Sequence, residues 1–520
     1  MKASLRDGGM GIALAPMLAA AASCSLAFSP DDLSRGSGGG VALPGDCTLT
    51  QEPKDNPACV DDRVGIFVSP LGDDANPGTK AQPVRTLGKA IQLANDKPRI
   101  YICEGEYNEA VTLDKAVSIF GGFTCGTWSF GKGATKLRAA PPAIPLKIDG
   151  IRTIPGGTTI ADLDIEAASA AHATTVASGS SIAVFVTASG QVLFRRVRMT
   201  AGTGRRGVTL PTGKNYGDNA MDHPAGDAPS GVSGGRGGRV ECTDKRSSEG
   251  GRGGSAAGGD TSGTRGSSAP NPITEPGRTG EGGTGGAACT AGLPGANGER
   301  GSIAWGAKTL GKLEPSGWTP ASGEKGSNGL PGQGGGGGGA TAGSTLGGSG
   351  GGAGGCGGAG GPGGDGGGSS FALLVYQSPV TLESCSLLAA DGGDGARGAD
   401  GEAAQPGATR GPVSLGTTGC QGGDGGNGAS GGGGGGGAGG LSVGIAYVGP
   451  KPSRDPATGV VVGKAGAAGD QGNGGPPASN STGAGKTGWQ ANEVDRDNAP
   501  STAACELELV PPYKNGITSC

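Results

Sequence analysis

An all-β solenoid, opened by one short capping helix and interrupted by long glycine-rich insertions, is the fold class this sequence predicts. One observation behind it is a repeat. Residues 181–201 (SIAVFVTASGQVLFRRVRMTA) align without a gap onto residues 370–390 (SFALLVYQSPVTLESCSLLAA), with identities at Ser181/Ser370, Ala183/Ala372, Val186/Val375, Ser189/Ser378, Leu193/Leu382 and Ala201/Ala390. Units of about 20 residues, rich in β-branched and aromatic residues, cannot close a core alone and must stack on copies of themselves. The other observation is where glycine lies: 59 in the 168 residues of 202–369 and 23 in the 50 of 391–440, against 36 in the remaining 302. With no Phe and only Tyr216, Trp305 and Trp318 as aromatics, those two segments cannot build a hydrophobic core and read as insertions.

Composition agrees. The 520 residues include 118 Gly and 35 Pro, with 34% hydrophobic and 3% aromatic residues, which excludes one uniform core over the whole chain. A net charge of -4 with 17% charged residues removes the electrostatic case for nucleic acid or an anionic membrane surface.

Taken in order, residues 1–23 carry Lys2 and Arg6, an apolar run over 12–22 and the small residues Ala21, Ala22 and Ser23 before Cys24, which reads as an export signal and not a spanning helix. The end of this run resembles the lipobox of bacterial lipoproteins, implying lipidation of Cys24; ordinary signal cleavage nearby and an uncleaved tail are the alternatives. Residues 24–62 form a linker. The first part of the solenoid, 63–201, begins with a strand at 65–69 and a turn at Asn76-Pro77-Gly78. Thr86 then caps a helix whose Leu87, Ala90, Ile91 and Ala94 make one apolar face, placed to cover the open end of the stack. A strand at 100–103, a turn at Glu104-Gly105-Glu106 and alternating runs around Val111, Leu113, Val117 and Ile119 follow. Farther on, Leu163, Ile165 and Ala167 alternate with Asp162, Asp164 and Glu166. After the insertion 202–369 come a rung at 370–390, the insertion 391–440 and a last part, 441–520, where a degraded third copy starts at Leu441 and resumes at Gly459.

The run VSPLGDDANPGTKAQPVRTLGKAIQLA, with IYICEGEYNEAVTL and SIFGGF after it, resembles the N-terminal segment of pectin-lyase-like right-handed parallel β-helix surface proteins. Gly72, Asn76, Pro77, Gly78, Pro83, Thr86, Leu87, Ala90, Ala94, Gly105, Tyr107, Gly121 and Gly122 carry the likeness. It implies a right-handed β-helix and export; enzymatic activity does not follow from it. The insertions resemble PGRS-like glycine-rich surface proteins in composition only.

Of 12 cysteines, Cys24 is set aside as the lipidation candidate, and the rest lack the paired spacing of a zinc site, so disulfides of an oxidising compartment are expected. Neighbours along the chain suggest Cys47 with Cys59, Cys103 with Cys125, Cys242 with Cys289, Cys356 with Cys420 and Cys505 with Cys520. Cys385, inside a strand-like run, is left as a buried thiol.

Chemistry is sparse. Asp162 and Asp164, two apart on a strand, form the best carboxylate pair, and Arg195, Arg196 and Arg198 the one basic cluster on a rung; a solvated outer face is the first expectation for both, with a cation site the alternative for the pair and a weak sugar-acid contact for the arginines. Neither histidine is followed by Gly, and no Arg-x-Lys occurs, so a polygalacturonase-like pattern is missing. The calcium-repeat likeness at Gly360–Asp365 fails at Gly367, where a large apolar residue belongs, and Gly483-Ala484-Gly485-Lys486-Thr487 lacks the first glycine of a phosphate loop. The insertions show glycine at period three, as in Gly292, Gly295, Gly298 and Gly301, or Gly323, Gly326, Gly329 and Gly332. Flexible coil is the first expectation for them, and packed polyproline-II-like helices the second.

The expectation is therefore a non-enzymatic, exported, lipid-anchored protein of a bacterial outer membrane or cell surface. Its role would be structural or adhesive, with a surface polysaccharide or other envelope component as partner. It has no catalytic, metal or cofactor residues, and its insertions would be dispensable for folding. The alternative is a carbohydrate-active solenoid that binds or cleaves an acidic polysaccharide. Charges converging on one rung face would favour the alternative, and charges spread over several faces the surface protein.

Overall fold

The computed structural model describes residues 43–131, 133–154, 156–171, 179–217, 225–269, 280–413 and 419–476, and the backbone of 506–510 and 514–517. Residues 1–23, Cys24, Cys505 and Cys520 lie outside that set. Strands β1 (Gly65–Val68), β2 (Arg99–Cys103), β3 (Gly105–Asn108), β4 (Val111–Leu113), β5 (Ser118–Phe123) and β6 (Thr135–Ala139) open the chain, with helix α1 (Leu87–Leu93) after β1. They are followed by β7 (Leu146–Asp149), β8 (Thr158–Ala161), β9 (Asp164–Ala167), β10 (Ser181–Thr187), β11 (Val192–Arg195) and β12 (Arg198–Ala201). Five short strands, β13 (Arg239–Glu241), β14 (Ser247–Glu249), β15 (Ser267–Ala269), β16 (Gly311–Glu314) and β17 (Gly317–Pro320), lie within 202–369. The main series resumes with β18 (Ser370–Tyr376), β19 (Val380–Glu383), β20 (Ser386–Ala389), β21 (Ser442–Val448), β22 (Ser453–Arg454) and β23 (Gly459–Val462), then β24 (Glu506–Val510) and β25 (Lys514–Ile517).

Each turn of chain lays one strand in each of three sheets. Sheet I runs β1-β2-β5-β8-β11-β19-β22, sheet II β4-β7-β10-β18-β21-β24-β25 and sheet III β3-β6-β9-β12-β20-β23. All pairings within these sheets are parallel except β24 with β25, so this is a solenoid-like, stacked parallel β fold. Inward positions form columns of like side chains: Ile119, Ile160, Phe194 and Leu382 are register partners in sheet I, and Leu137, Ile165, Met199 and Leu387 in sheet III. All are buried in one continuous core. Helix α1, capped by the Thr86 hydroxyl accepting from the Lys89 N–H, adds Leu87, Ala90 and Ile91 to that core.

Two sequence readings are corrected here. Gly105, taken as a turn, begins β3. The repeat also slips by one after its first strand: Ser181 faces Ser370 and Val186 faces Val375, but Phe194 faces Leu382 and Ala201 faces Ala389. The corner 377–379, which holds Pro379, is one residue shorter than 188–191. Leu193 therefore pairs with Thr381 on the outer face, because a one-residue slip exchanges the faces of a strand.

The glycine-rich segments are packed, which overturns the coil expectation. Along 347–368, Gly352, Gly355, Gly358, Gly361 and Gly364 donate to the carbonyls of Gly423, Gly426, Ala429, Gly432 and Gly435, all at 2.9–3.0 Å. Along 419–440, Gly425, Gly428, Gly431 and Gly434 donate to Ala408, Gln405, Glu402 and Ala399, whose own N–H groups return to Ala353, Cys356, Ala359 and Pro362. Three extended segments thus close a triangle of hydrogen bonds at period three, as polyproline-II-like helices do when backbone groups must pair between segments. Only glycine fits: a methyl group on Gly358 would overlap the carbonyl oxygen of Glu402, and one on Gly355 that of Gln405.

The first insertion also covers the solenoid. Leu310, Leu313 and Trp318 of the β16–β17 hairpin pack on Phe185, Phe371 and Leu374 on the outer side of sheet II, with the Trp318 and Phe371 rings 5.2 Å apart. Disulfides join Cys47 to Cys59, Cys103 to Cys125, Cys242 to Cys356 and Cys289 to Cys420. The pairings Cys242–Cys289 and Cys356–Cys420 are thereby corrected: segments adjacent in the bundle are distant along the chain, so sequence proximity does not pair them. Cys385 is a buried free thiol, and burial pushes its pKa up.

Candidate functional site

The outer face of sheet I changes character along the stack. Phe67, Tyr101, Phe120, Ala161, Arg195 and Glu383 are successive register partners, so one column runs from aromatic to charged. Residues 43–63 lie over its aromatic end. The Tyr101 hydroxyl donates to the Cys59 carbonyl, and burial pushes its pKa up to about 12, so it keeps that proton. Arg99, 1% exposed, donates from Nη2 to the carbonyls of Thr48, Leu49 and Gln51 at 3.0, 3.1 and 2.7 Å. These contacts carry Glu52 to the charged end of the column.

There the side chains converge. Glu52, 9% exposed, takes Arg195 Nη1 on Oε1 at 3.0 Å and Arg196 Nη2 on Oε2 at 2.6 Å. Arg195 Nε donates to Glu383 Oε2 at 2.7 Å, and Arg196 donates from Nε and Nη2 to the two oxygens of Asp162 at 2.7 and 2.8 Å. One terminal nitrogen on each guanidinium, Arg195 Nη2 and Arg196 Nη1, has no protein partner among the described residues. For Arg196 the hydrogen bond it donates to Asp162 raises the pKa and outweighs burial; for Arg195 burial pulls downward, but the bonds to Glu383 and Glu52 prevail. Both stay protonated and act as fixed cations.

The array borders an open cleft of about 390 Å³, lined by Thr50, Gln51, Glu52, Lys54, Asp55 and Asn56 from the covering segment and by Arg195, Arg196 and Glu383 from the sheet. Lys54, Arg195 and Arg196 face Glu52, Asp55, Asp162 and Glu383, which leaves a surplus of one negative charge. Among the described residues, no three or more His, Cys, Asp and Glu side chains are grouped so as to hold a metal ion.

The sequence candidates divide at a corner. Asp162, Arg196 and Ser384 all have positive φ, at 60°, 53° and 53°, where the chain passes from sheet I to sheet III. Asp162 and Asp164 therefore do not share a face, contrary to the sequence reading: Asp162 meets Arg196, whereas Asp164 lies on β9 between Lys136 and Arg198. Arg198 goes with it to sheet III, leaving Arg195 and Arg196 at the cleft. Glu52 and Glu383 were missed. Nothing in the linker singles out Glu52, but one gap in the repeat would have set Glu383 against Arg195.

The family described as protein of unknown function (DUF1565) matches residues 71–179. No curated protein matches the chain in sequence. Among solved structures, pectin methylesterase PemA from Erwinia chrysanthemi is similar at 17% identity over 26% of this chain and 42% of its own, with a TM-score of 0.19. GH136 lacto-N-biosidase from Eubacterium ramulus is similar at 15% over 26% of each chain, TM-score 0.20, and a rhamnogalacturonan lyase at 16% over 27% and 36%, TM-score 0.18. The chain spans less than half the length of each. All three are, by name, enzymes acting on carbohydrates, which differs from the non-enzymatic chain expected from the sequence. Likeness at these TM-scores assigns no activity to this chain.

Proposed function

We propose that this chain is a carbohydrate-active solenoid that binds an acidic polysaccharide at the sheet I cleft. The observation that carries this reading is the convergence of Arg195 and Arg196 with Glu52, Asp162 and Glu383 on one face beside an open polar cleft. Planar guanidinium forks suit the carboxylates of uronic acids, and Thr50, Gln51 and Asn56 offer hydroxyl and amide groups to sugar hydroxyls. Because both arginines stay protonated, proton transfer falls to the carboxylates; of the three that hold the arginines, Glu383 is the most exposed at 41%, against 9% for Glu52 and 13% for Asp162.

The reading includes a right-handed winding, export, a lipid anchor on Cys24 and a seat at the bacterial outer membrane or cell surface, without a nucleic-acid partner. The four disulfides among the described residues support an oxidising compartment. Replacing Cys24 with Ala is expected to release the protein from the membrane fraction. The cleft is tested by calorimetric titration with oligogalacturonate and a neutral oligoglucan, with depolymerisation followed in parallel. Wild type is expected to bind the acidic chain, and Arg195→Gln with Arg196→Gln to weaken it at least tenfold. Equal binding by the double variant, or no binding of any acidic polysaccharide by wild type, would overturn the reading.

A further inference from the structure

Glu52 sits where a ligand's carboxylate belongs. Its two oxygens are divided between Arg195 Nη1 and Arg196 Nη2, at 3.0 and 2.6 Å, with the side chain 9% exposed. The other two carboxylates on these arginines, Asp162 and Glu383, belong to the solenoid turns themselves. Glu52 alone comes from the covering segment, which Arg99 and Tyr101 also attach to the sheet, independently of Glu52. Its side chain can therefore swing out while the segment stays in place.

We infer that Glu52 is an internal latch on a carboxylate site formed by Arg195 and Arg196, and that a uronate carboxylate binds there by exchange for it. This rests on the reading of the cleft as an acidic-polysaccharide site and adds its regulation. Charge gives the exchange its logic. With Glu52 in place the two guanidiniums are held by three carboxylates, Glu52, Asp162 and Glu383, so an incoming polyanion meets repulsion there. With Glu52 turned to solvent, the two guanidiniums face only Asp162 and Glu383, and one ligand carboxylate restores the original balance. The latch thus sets a threshold: a carboxylate must outcompete a tethered one, which favours ligands presenting several uronates over single acids.

The test compares wild type with Glu52→Gln and Glu52→Ala. Oligogalacturonate is expected to bind both variants at least tenfold more tightly than wild type. Acetate, as a probe independent of any glycan, is expected to raise the melting temperature of Glu52→Ala saturably and to leave wild type unmoved. If wild type binds the oligosaccharide and the variants bind it equally or more weakly, the latch is overturned and the cleft stands. If no protein binds it but acetate fills the site in Glu52→Ala, the carboxylate site stands and the polysaccharide reading fails. Lack of any acetate effect, with Glu52→Gln folded as wild type by circular dichroism, removes the latch altogether.

Discussion

Arg196 and Asp162 occupy the same corner in successive turns, both with positive φ, 53° and 60°, and the guanidinium of one grips the carboxylate of the other at 2.7 and 2.8 Å. An L-residue holds such a backbone at a cost of roughly 1–2 kcal/mol, which here is offset by charge-assisted hydrogen bonds between neighbouring corners. Arg196→Ala is expected to lose the bonds and keep the strain, at about 2–4 kcal/mol, while Arg196→Gly loses the bonds and relieves it. Denaturant unfolding should find the Gly variant about 1 kcal/mol the more stable. Equal stabilities would mean that the corner is not left-handed.

In the glycine-rich bundle, Gly358 donates to Ala429 at 2.9 Å, and a Cβ there would overlap the Glu402 carbonyl, whereas one on Gly213 meets nothing within 4 Å. Gly358→Ala is expected to cost at least about 1–3 kcal/mol, and Gly213→Ala to stay within about 0.5. Chemical denaturation of the two variants checks this. A flexible coil would show no difference between them.

The repeated unit made the solenoid legible, because burial in a stacked fold repeats at the same positions, and the period of Leu87, Ala90 and Ile91 made α1 legible in the same way. The bundle was harder to read. Its order comes from backbone groups meeting across segments, so Gly358 and its acceptor Ala429 carry no apolar pattern to find, only the period of three. The site was half visible. Arg195 and Arg196 stand out as charges on a rung, but Glu52 reaches them from a linker 143 and 144 residues away, and contacts of that kind leave no trace in local sequence.

Residues 202–369 are expected to be needed for a folded solenoid. Phe185, Phe371 and Leu374 are fully buried on the outer side of sheet II, beneath Leu310, Leu313 and Trp318 of the insertion. Uncovering each large apolar side chain costs about 1.5–3 kcal/mol, and Trp318→Ala alone should cost about 3–5 kcal/mol. A protein lacking 202–369 should bind a hydrophobic dye and lose its cooperative transition. Retention of a sharp transition with no dye binding would restore the view of the insertion as dispensable.

Acid should loosen the outer layer of the bundle. Asp394 Oδ1 accepts from the Ala467 N–H at 2.9 Å and Asp400 Oδ1 from the Asn473 N–H at 2.7 Å, and with Asp391 Oδ1, which accepts from the Lys464 N–H at 2.7 Å, these carboxylates on one three-residue period hold segment 463–476 against 391–401. Burial opposes ionisation of Asp394 and Asp400, but these backbone bonds, with Arg206 beside Asp394 and Arg397 beside Asp400, outweigh it and hold both pKa values below the usual 3.8. A carboxylate depressed in the folded state contributes stability that is fully present above its unfolded pKa and lost as pH falls through the folded one. The loss therefore begins near pH ~4, the ordinary carboxylate value, and grows below it. Asp394→Asn with Asp400→Asn keeps an oxygen acceptor at each place but removes the titration, so urea midpoints measured from about pH 6 down to about pH 3 should fall less steeply in the double variant. Parallel falls in both proteins would show that acid acts through other carboxylates, such as Asp74, which the Thr86 and Arg85 amides also hold below its ordinary value against the opposing pull of burial.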